Sequence, residues 1–171
     1  MKAQSPVDAA GGRAGQPNDR PADQALRSLV HAFGLLERVM HPYFARFGIT
    51  GSQWGVLRTL QRAEAAGLGE LRLTDLSDRL LVRPPSVTGV VDRLERLGLA
   101  AREAIPGDLR AKRVTLTRKG RELVARVHAA HGPQVDAILA GLNPGEQADL
   151  HRLLGRLTNH LEGLLNKQEA K

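Results

Sequence analysis

The side chains with the most chemistry to offer lie between Arg83 and Arg121. Ser86 and Thr88 stand at the start of an amphipathic pattern, with Arg83 and Pro85 just before them and Gly89 and Arg93 just after. Their hydroxyls suit phosphate oxygens or base edges, and the Thr88 methyl suits the methyl of thymine. Gly89 permits close backbone approach but supplies no readout. Further along, Asp108 and Arg110 sit two residues apart in the turn-rich stretch Pro106–Ala111, and Lys112 follows. A planar guanidinium fits the negative potential of an A·T-rich minor groove. A carboxylate two residues away can hold that guanidinium extended, although a lone Asp-x-Arg is also an ordinary turn ion pair.

Charge points the same way. The stretch Arg83–Arg121 holds ten Lys/Arg against four acids, so 39 residues carry +6 of the chain's net +7. Clustered positive excess is the footprint of phosphate contact, with a solvated basic face as the plain alternative.

The elements needed to present these groups can be read from periodicity. Apolar residues recur at helical spacing from about Asp23 to Phe47, and Pro42 should kink or interrupt that helix near His41. Thr50 and Gln53 have the form of a capping box ahead of a helix bearing Trp54, Val56, Leu57 and Leu60. Trp54 itself is expected to be a core anchor. Leu71–Leu73 suits a very short strand, and Thr74 should cap a helix with Leu76, Leu80 and Leu81 buried. A second short helix, Pro85 to Leu97, buries Val87, Val90, Val91, Leu94 and Leu97 and stops at Gly98. Strands from Leu99 to Ile105 and from Lys112 to Leu116 form a hairpin. Thr117 caps a helix reaching about Gly141 that Pro133 should bend, and Asn143-Pro-Gly-Glu146 caps the last one. That last helix carries leucines at 150, 153, 154, 157, 161, 164 and 165, close to a heptad seam.

Helix, helix, short strand, helix, helix, hairpin, helix, helix is a mainly α chain with a small β-hairpin wing. The expected organisation is a tail over 1–22, with too little apolar content to order, and one domain over 23–171. Within it a winged helix-turn-helix should span 50–118, flanked by helices over 23–47 and 118–166.

Other classes find little support. The chain has no cysteine, hence no disulfide, thiolate metal site or thiol switch. No apolar run approaches the roughly 18 residues of a membrane span, and the N-terminus lacks the apolar core of a signal peptide, so no membrane partner and a cytoplasmic location are expected. The histidines, including His128, His131, His151 and His160, show no clear ligand spacing with acids, so no metal and no cofactor are expected. No nucleophile elbow, phosphate loop or zinc-protease motif is present, and an enzyme is not expected.

Three segments taken together resemble the MarR family of transcriptional regulators. They are Leu76–Leu80 with the following turn, PPSVTGVVDRLERLGL from Pro84 to Leu99, and GDLRAKRVTLTRKG from Gly107 to Gly120. Gly89 departs from the Arg or polar residue common at its position, Pro84-Pro85 is an unusual helix start, and the loop before Leu71 is long. The resemblance covers residues 24 to 166 and implies a homodimer whose flanking helices interlock. It implies double-stranded DNA as partner, read at a pseudo-palindromic operator by two heads about one DNA turn, roughly 34 Å, apart. It further implies a repressor released by a small aromatic acid or phenolic effector held near the hinge, where His41, Tyr43, Trp54 and Arg58 lie. The alternative is a winged-helix architectural or protein-interaction module without ligand sensing. With Gly89 at a contact position, Arg93 and Arg110 should carry more of the binding, and DNA shape more of the specificity.

Overall fold

The computed structural model describes residues 20–80, 84–105 and 108–169. Arg83 and the tail over 1–19 lie outside the described residues, as do the side chains of Pro85, Asp108 and Arg110. The chain divides into two units, 1–40 and 41–171. The element order is α1 (Pro21–Ala45), α2 (Gly51–Ala65), β1 (Leu71–Arg72), α3 (Leu73–Leu80), α4 (Pro84–Arg96), β2 (Ala100–Ile105), β3 (Asp108–Leu116), α5 (Arg118–Leu139) and α6 (Pro144–Glu169). That is the expected order, mainly helical with a small antiparallel sheet.

Local signals set most of the boundaries. The Thr50 hydroxyl accepts from Gln53 N–H while the Gln53 side chain accepts from Thr50 N–H, closing the capping box of α2. Asn143 and Glu146 repeat the arrangement at α6. Gly98 adopts φ +68°, which ends α4 in the left-handed region where a Cβ is penalised.

Several expectations shift. Helix α1 runs unbroken through Pro42 and ends at Ala45, with a turn over 46–48. Pro133, expected to bend its helix, lies inside α5, which continues through it. Helix α3 begins at Leu73, so Thr74 is inside it. The local acceptor is instead Asp75, whose carboxylate takes the Arg72 N–H at 2.8 Å. The strand β3 starts at Asp108, so pairing extends into the stretch expected to be all turn. Leu97 follows the end of α4 and is exposed.

The three strands lie in the order β1-β3-β2. Leu71 pairs with Val114, and Ala100 with Leu116, so the central strand turns Val114 and Leu116 into the core. The core over 41–171 is aliphatic. Val56, Leu57 and Leu60 of α2 are buried with Leu76 of α3, with Val87, Val91 and Leu94 of α4, and with Leu123, Val124 and Val127 of α5. Each such side chain contributes about 1.5–3 kcal/mol of burial. Burial of positions 87, 91 and 94 fixes the rotation of α4 about its axis.

The start of α5 is pressed against the start of the wing. A Cβ on Gly120 would lie 2.0 Å from the Leu99 carbonyl oxygen and 3.3 Å from the Leu116 side chain. Thr117 completes the junction, donating its hydroxyl to Gly98 O at 2.7 Å and accepting from Gly120 N–H at 3.0 Å. Backbone cannot yield to a methyl at that distance, so Gly120→Ala should destabilise by about 1–3 kcal/mol or more. A thermal melt of the variant should show a drop of several degrees; an unchanged melting temperature would contradict the close approach.

Candidate nucleic-acid interface

With α4 fixed by its buried stripe, Ser86, Thr88, Asp92, Arg93 and Arg96 are left exposed and Gly89 half-exposed. A Cβ on Gly89 would lie 3.9 Å from an Arg93 guanidinium nitrogen, so Arg93 lies alongside the surface that Gly89 leaves open. Lys112 is exposed on β3, opposite Ala104 of β2. The structure thus gives Ser86, Thr88, Gly89 and Arg93 one helix and Lys112 the wing stem. The backbone of Asp108 and Arg110 lies at the start of β3.

Much of the basic excess is neutralised within the chain. Arg113 pairs with Glu70 at 2.5 Å, Arg121 with Glu64 at 2.7 Å and Arg118 with Glu122 at 3.2 Å. Lys119 donates to Leu97 O at 2.9 Å, across the junction described above. Arg102 of β2 lies against α4. One guanidinium nitrogen is 2.5 Å from Asp92 Oδ1 and 2.6 Å from Glu95 Oε2, and the other donates to Thr88 O at 3.3 Å. Among the described residues, the cations of the 83–121 stretch that no acid holds are Arg93, Arg96, Lys112 and Lys119, the last of them bonded to the Leu97 carbonyl. The raw count of ten therefore overstated the phosphate footprint. Arg102 was among the ten, but its role was missed because its partners lie seven, ten and fourteen residues away.

A second constellation forms where the end of α1, α2 and α5 meet, within 41–171. Tyr43 stacks edge-on to Phe44 and Phe47, with centroids 5.2 and 5.4 Å apart, and donates its hydroxyl to Val127 O at 3.0 Å. Trp54 meets Phe44 at 5.9 Å and His128 edge-on at 5.4 Å, and His131 lies 6.1 Å from Tyr43 and 6.4 Å from Trp54. Arg46 covers the outer face of Tyr43 at 5.0 Å. Trp54 is buried, as a core anchor should be. His41 is exposed and outside this ring cluster. His128 and His131 belong to it and were missed, because their three-residue spacing looked only like a poor metal pair. Among the described residues no three His, Asp or Glu side chains gather as metal ligands.

Two groups here are under electrostatic tension. Arg58 is half-buried with no acid partner among the described residues, and desolvation, then Arg62, lowers its pKa. His131 Nδ1 is buried with no hydrogen-bond partner among the described residues. Desolvation, then the nearby Arg58 and His128, lowers the His131 pKa below the usual imidazole value.

A winged helix that presents the polar face of its second helix outward has the architecture of a DNA-binding module. Comparison with known proteins agrees. A family model described as MarR family matches residues 47–111. The regulator FarR of Neisseria gonorrhoeae is 30% identical over 138 residues, covering 81% of this chain and 90% of its own. The regulator PecS of Dickeya dadantii is 29% identical over 127 residues, 74% and 75% of the two chains. The structure of Bordetella bronchiseptica BpsR superposes with a TM-score of 0.71 at 27% identity, covering 79% of this chain and 98% of its own. That structure concerns regulation of BpsR DNA binding by 6-hydroxynicotinic acid. The chain belongs to the MarR family; its relatives are transcriptional regulators, not enzymes. Among the described residues no helix is long and apolar enough to cross a membrane.

The depressed His131 pKa fixes the sign of a pH effect. The unfolded chain takes up this proton first, near pH 6.5, so its stability falls as pH drops through that value and levels off below the folded pKa. The melting temperature of wild type minus that of His131→Gln should therefore fall as pH is lowered from 8 to 5. A constant difference would remove the tension assigned to this imidazole.

Proposed function

We propose that the chain is a dimeric, sequence-specific operator-binding repressor released by a small aromatic acid or phenol. The observation that carries the reading is the outer face of α4, polar and unburied beside Arg93, on a helix whose rotation the core fixes. Ser86, Thr88 and Arg93 would face base edges and phosphates in the major groove, with Arg83, Pro85 and Gly89 at the same helix end. Asp108, Arg110 and Lys112 would bring the wing to the flanking minor groove.

The dimer reading rests on exposed apolar stripes. The seven leucines of the α6 seam are 37–53% exposed. On α1, Leu26, Leu29, Val30, Phe33 and Leu36 are exposed as well. Apolar surface of this extent marks an interaction face, and a second copy would cover it two-fold, as operator symmetry needs. The helices proposed for this role span 23–47 and 118–166, around a winged-helix region over 50–118.

The effector reading rests on Arg58 and His131. An acid-free, partly desolvated guanidinium gains most from an anion, an unpartnered ring nitrogen gains from a hydrogen bond, and the Trp54 and Tyr43 rings make the surroundings of that nitrogen aromatic. An aromatic carboxylate satisfies all three. By analogy with BpsR, 6-hydroxynicotinic acid is a suitable probe. His41, exposed outside the ring cluster, would contribute at most at its margin. A ligand releases DNA only by favouring the state that binds DNA poorly.

Gel-shift titration against a duplex selected in vitro and a scrambled duplex tests the central reading. Discrimination of roughly 10³-fold or more is expected at physiological salt. Less than about 10-fold would favour the architectural or protein-interaction module. Arg110→Ala should weaken selected-duplex binding by roughly 5- to 100-fold, about 1–3 kcal/mol, with the dimer intact. Leu157→Lys should shift the chain toward monomer in sedimentation, and Arg58→Ala should abolish any melting shift caused by 6-hydroxynicotinic acid.

A further inference from the structure

Arg102 stands apart from the other cations of the reading head. Its side chain is only 15% exposed, so it is poorly placed to meet a phosphate. It is instead the one described side chain that joins β2 to three successive turns of α4. Thr88, Asp92 and Glu95 follow at four- and three-residue steps along the helix face turned toward the strand. Glu95 closes the arrangement from its side. One carboxylate oxygen takes the Arg102 guanidinium at 2.6 Å, while the other takes the Arg102 backbone N–H at 2.9 Å. The strand is thus gripped at main chain and side chain together.

The position of the grip matters. Arg102 pairs in register with Val114 of β3, and the next pair, Glu103 with Arg113, leads to the ion pair from Arg113 to Glu70. Beyond Arg102 the hairpin continues through Ile105 and returns from Asp108, with Arg110 near the start of the returning strand. On the helix side, the acceptor carbonyl belongs to Thr88, whose own side chain is exposed on the outer face. One guanidinium therefore spans the helix that would read the major groove and the stem of the wing that would reach the minor groove. Its planar fork suits this task, because it directs several donors at fixed angles; an ammonium would offer a point charge.

We propose that Arg102 is a positioning residue for DNA recognition: it locks α4 and the wing into one rigid reading head and contacts no DNA itself. The inference rests on the sequence-specific reading proposed above. A grip of this kind acts on specificity. Random DNA binds through phosphates and tolerates small errors in the angle between helix and wing, whereas base contacts do not. Without Arg102, Asp92 and Glu95 lose the guanidinium that ties them to β2, and of the described bonds in this grip only the one from the residue-102 backbone N–H to Glu95 is left.

The test measures wild type, Arg102→Ala, Arg102→Lys and Glu95→Gln against the duplex selected in vitro on wild type and a scrambled duplex of equal length and composition. Each titration is repeated from 50 to 300 mM KCl. Arg102→Ala and Arg102→Lys should each lose more than about 10-fold affinity for the selected duplex. They should lose less than about 3-fold for the scrambled one, with the salt slope unchanged. Glu95→Gln, which removes the charge but keeps the volume, should move in the same direction by a smaller factor and serves if Arg102→Ala does not fold. Arg110→Ala should cost less in the Arg102→Ala background than in wild type, because a misplaced wing has less to lose. Equal losses on both duplexes, a slope reduced by about one, and rescue by Arg102→Lys would make Arg102 a phosphate contact and overturn the proposal. Unchanged discrimination in Arg102→Ala, or additive losses with Arg110→Ala, would overturn it as well. If wild type itself fails to discriminate between the duplexes, it is the sequence-specific reading that falls.

Discussion

The close seating of Gly120 against the Leu99 carbonyl, which leaves no room for a Cβ, sets where everything else can go. It joins the end of the outward helix, the first strand of the wing and the start of the long helix α5 at one point. Thr117 bonds to Gly98 and Gly120 there through its hydroxyl and to Leu99 through its backbone N–H, and Lys119 reaches back to the Leu97 carbonyl. A side chain at position 120 would force these segments apart, and the burial of Leu99, Leu116 and Leu123 beside it would be lost in part. The direction of α5 and the base of the wing are therefore one decision, made by one missing methyl group.

What was legible in the sequence was what is local. The capping boxes at Thr50 and Asn143, the stop at Gly98 and the buried stripe of α4 all obey rules spanning a turn or two of helix, and the element order followed from them. Thr74 looked like a cap because hydroxyls favour that role, yet the helix begins one residue earlier, where the Asp75 carboxylate takes the Arg72 N–H. Pro42 was expected to kink or interrupt its helix and Pro133 to bend its own; each removes one backbone donor, and both helices continue through the proline.

The candidate sites were legible only in outline, because their chemistry depends on distant partners. Counting charge along 39 residues treated every Lys and Arg as available. The acids holding Arg113 and Arg121 lie 43 and 57 residues earlier, so no window around the wing could reveal them. The same holds for the aromatic cluster. Tyr43 and Val127 are 84 residues apart, and only the packing of α5 on α2 brings His128 and His131 to the rings. Sequence spacing suggested which side chains face outward. Tertiary contacts then decided which of those are already spent on the protein itself.

Trp54 is the only tryptophan in the chain, and it sits edge-on to His128 with His131 and Phe44 around it. Its indole thus makes the chain optically single-channelled. Emission from the folded protein arises at the one spot where α2, α5 and the end of α1 converge. An imidazole that gains a proton beside an excited indole dims it, and a ring that slides away alters its colour. Movement of α5 against α2 is therefore written into the intrinsic fluorescence of the native chain, with no label attached.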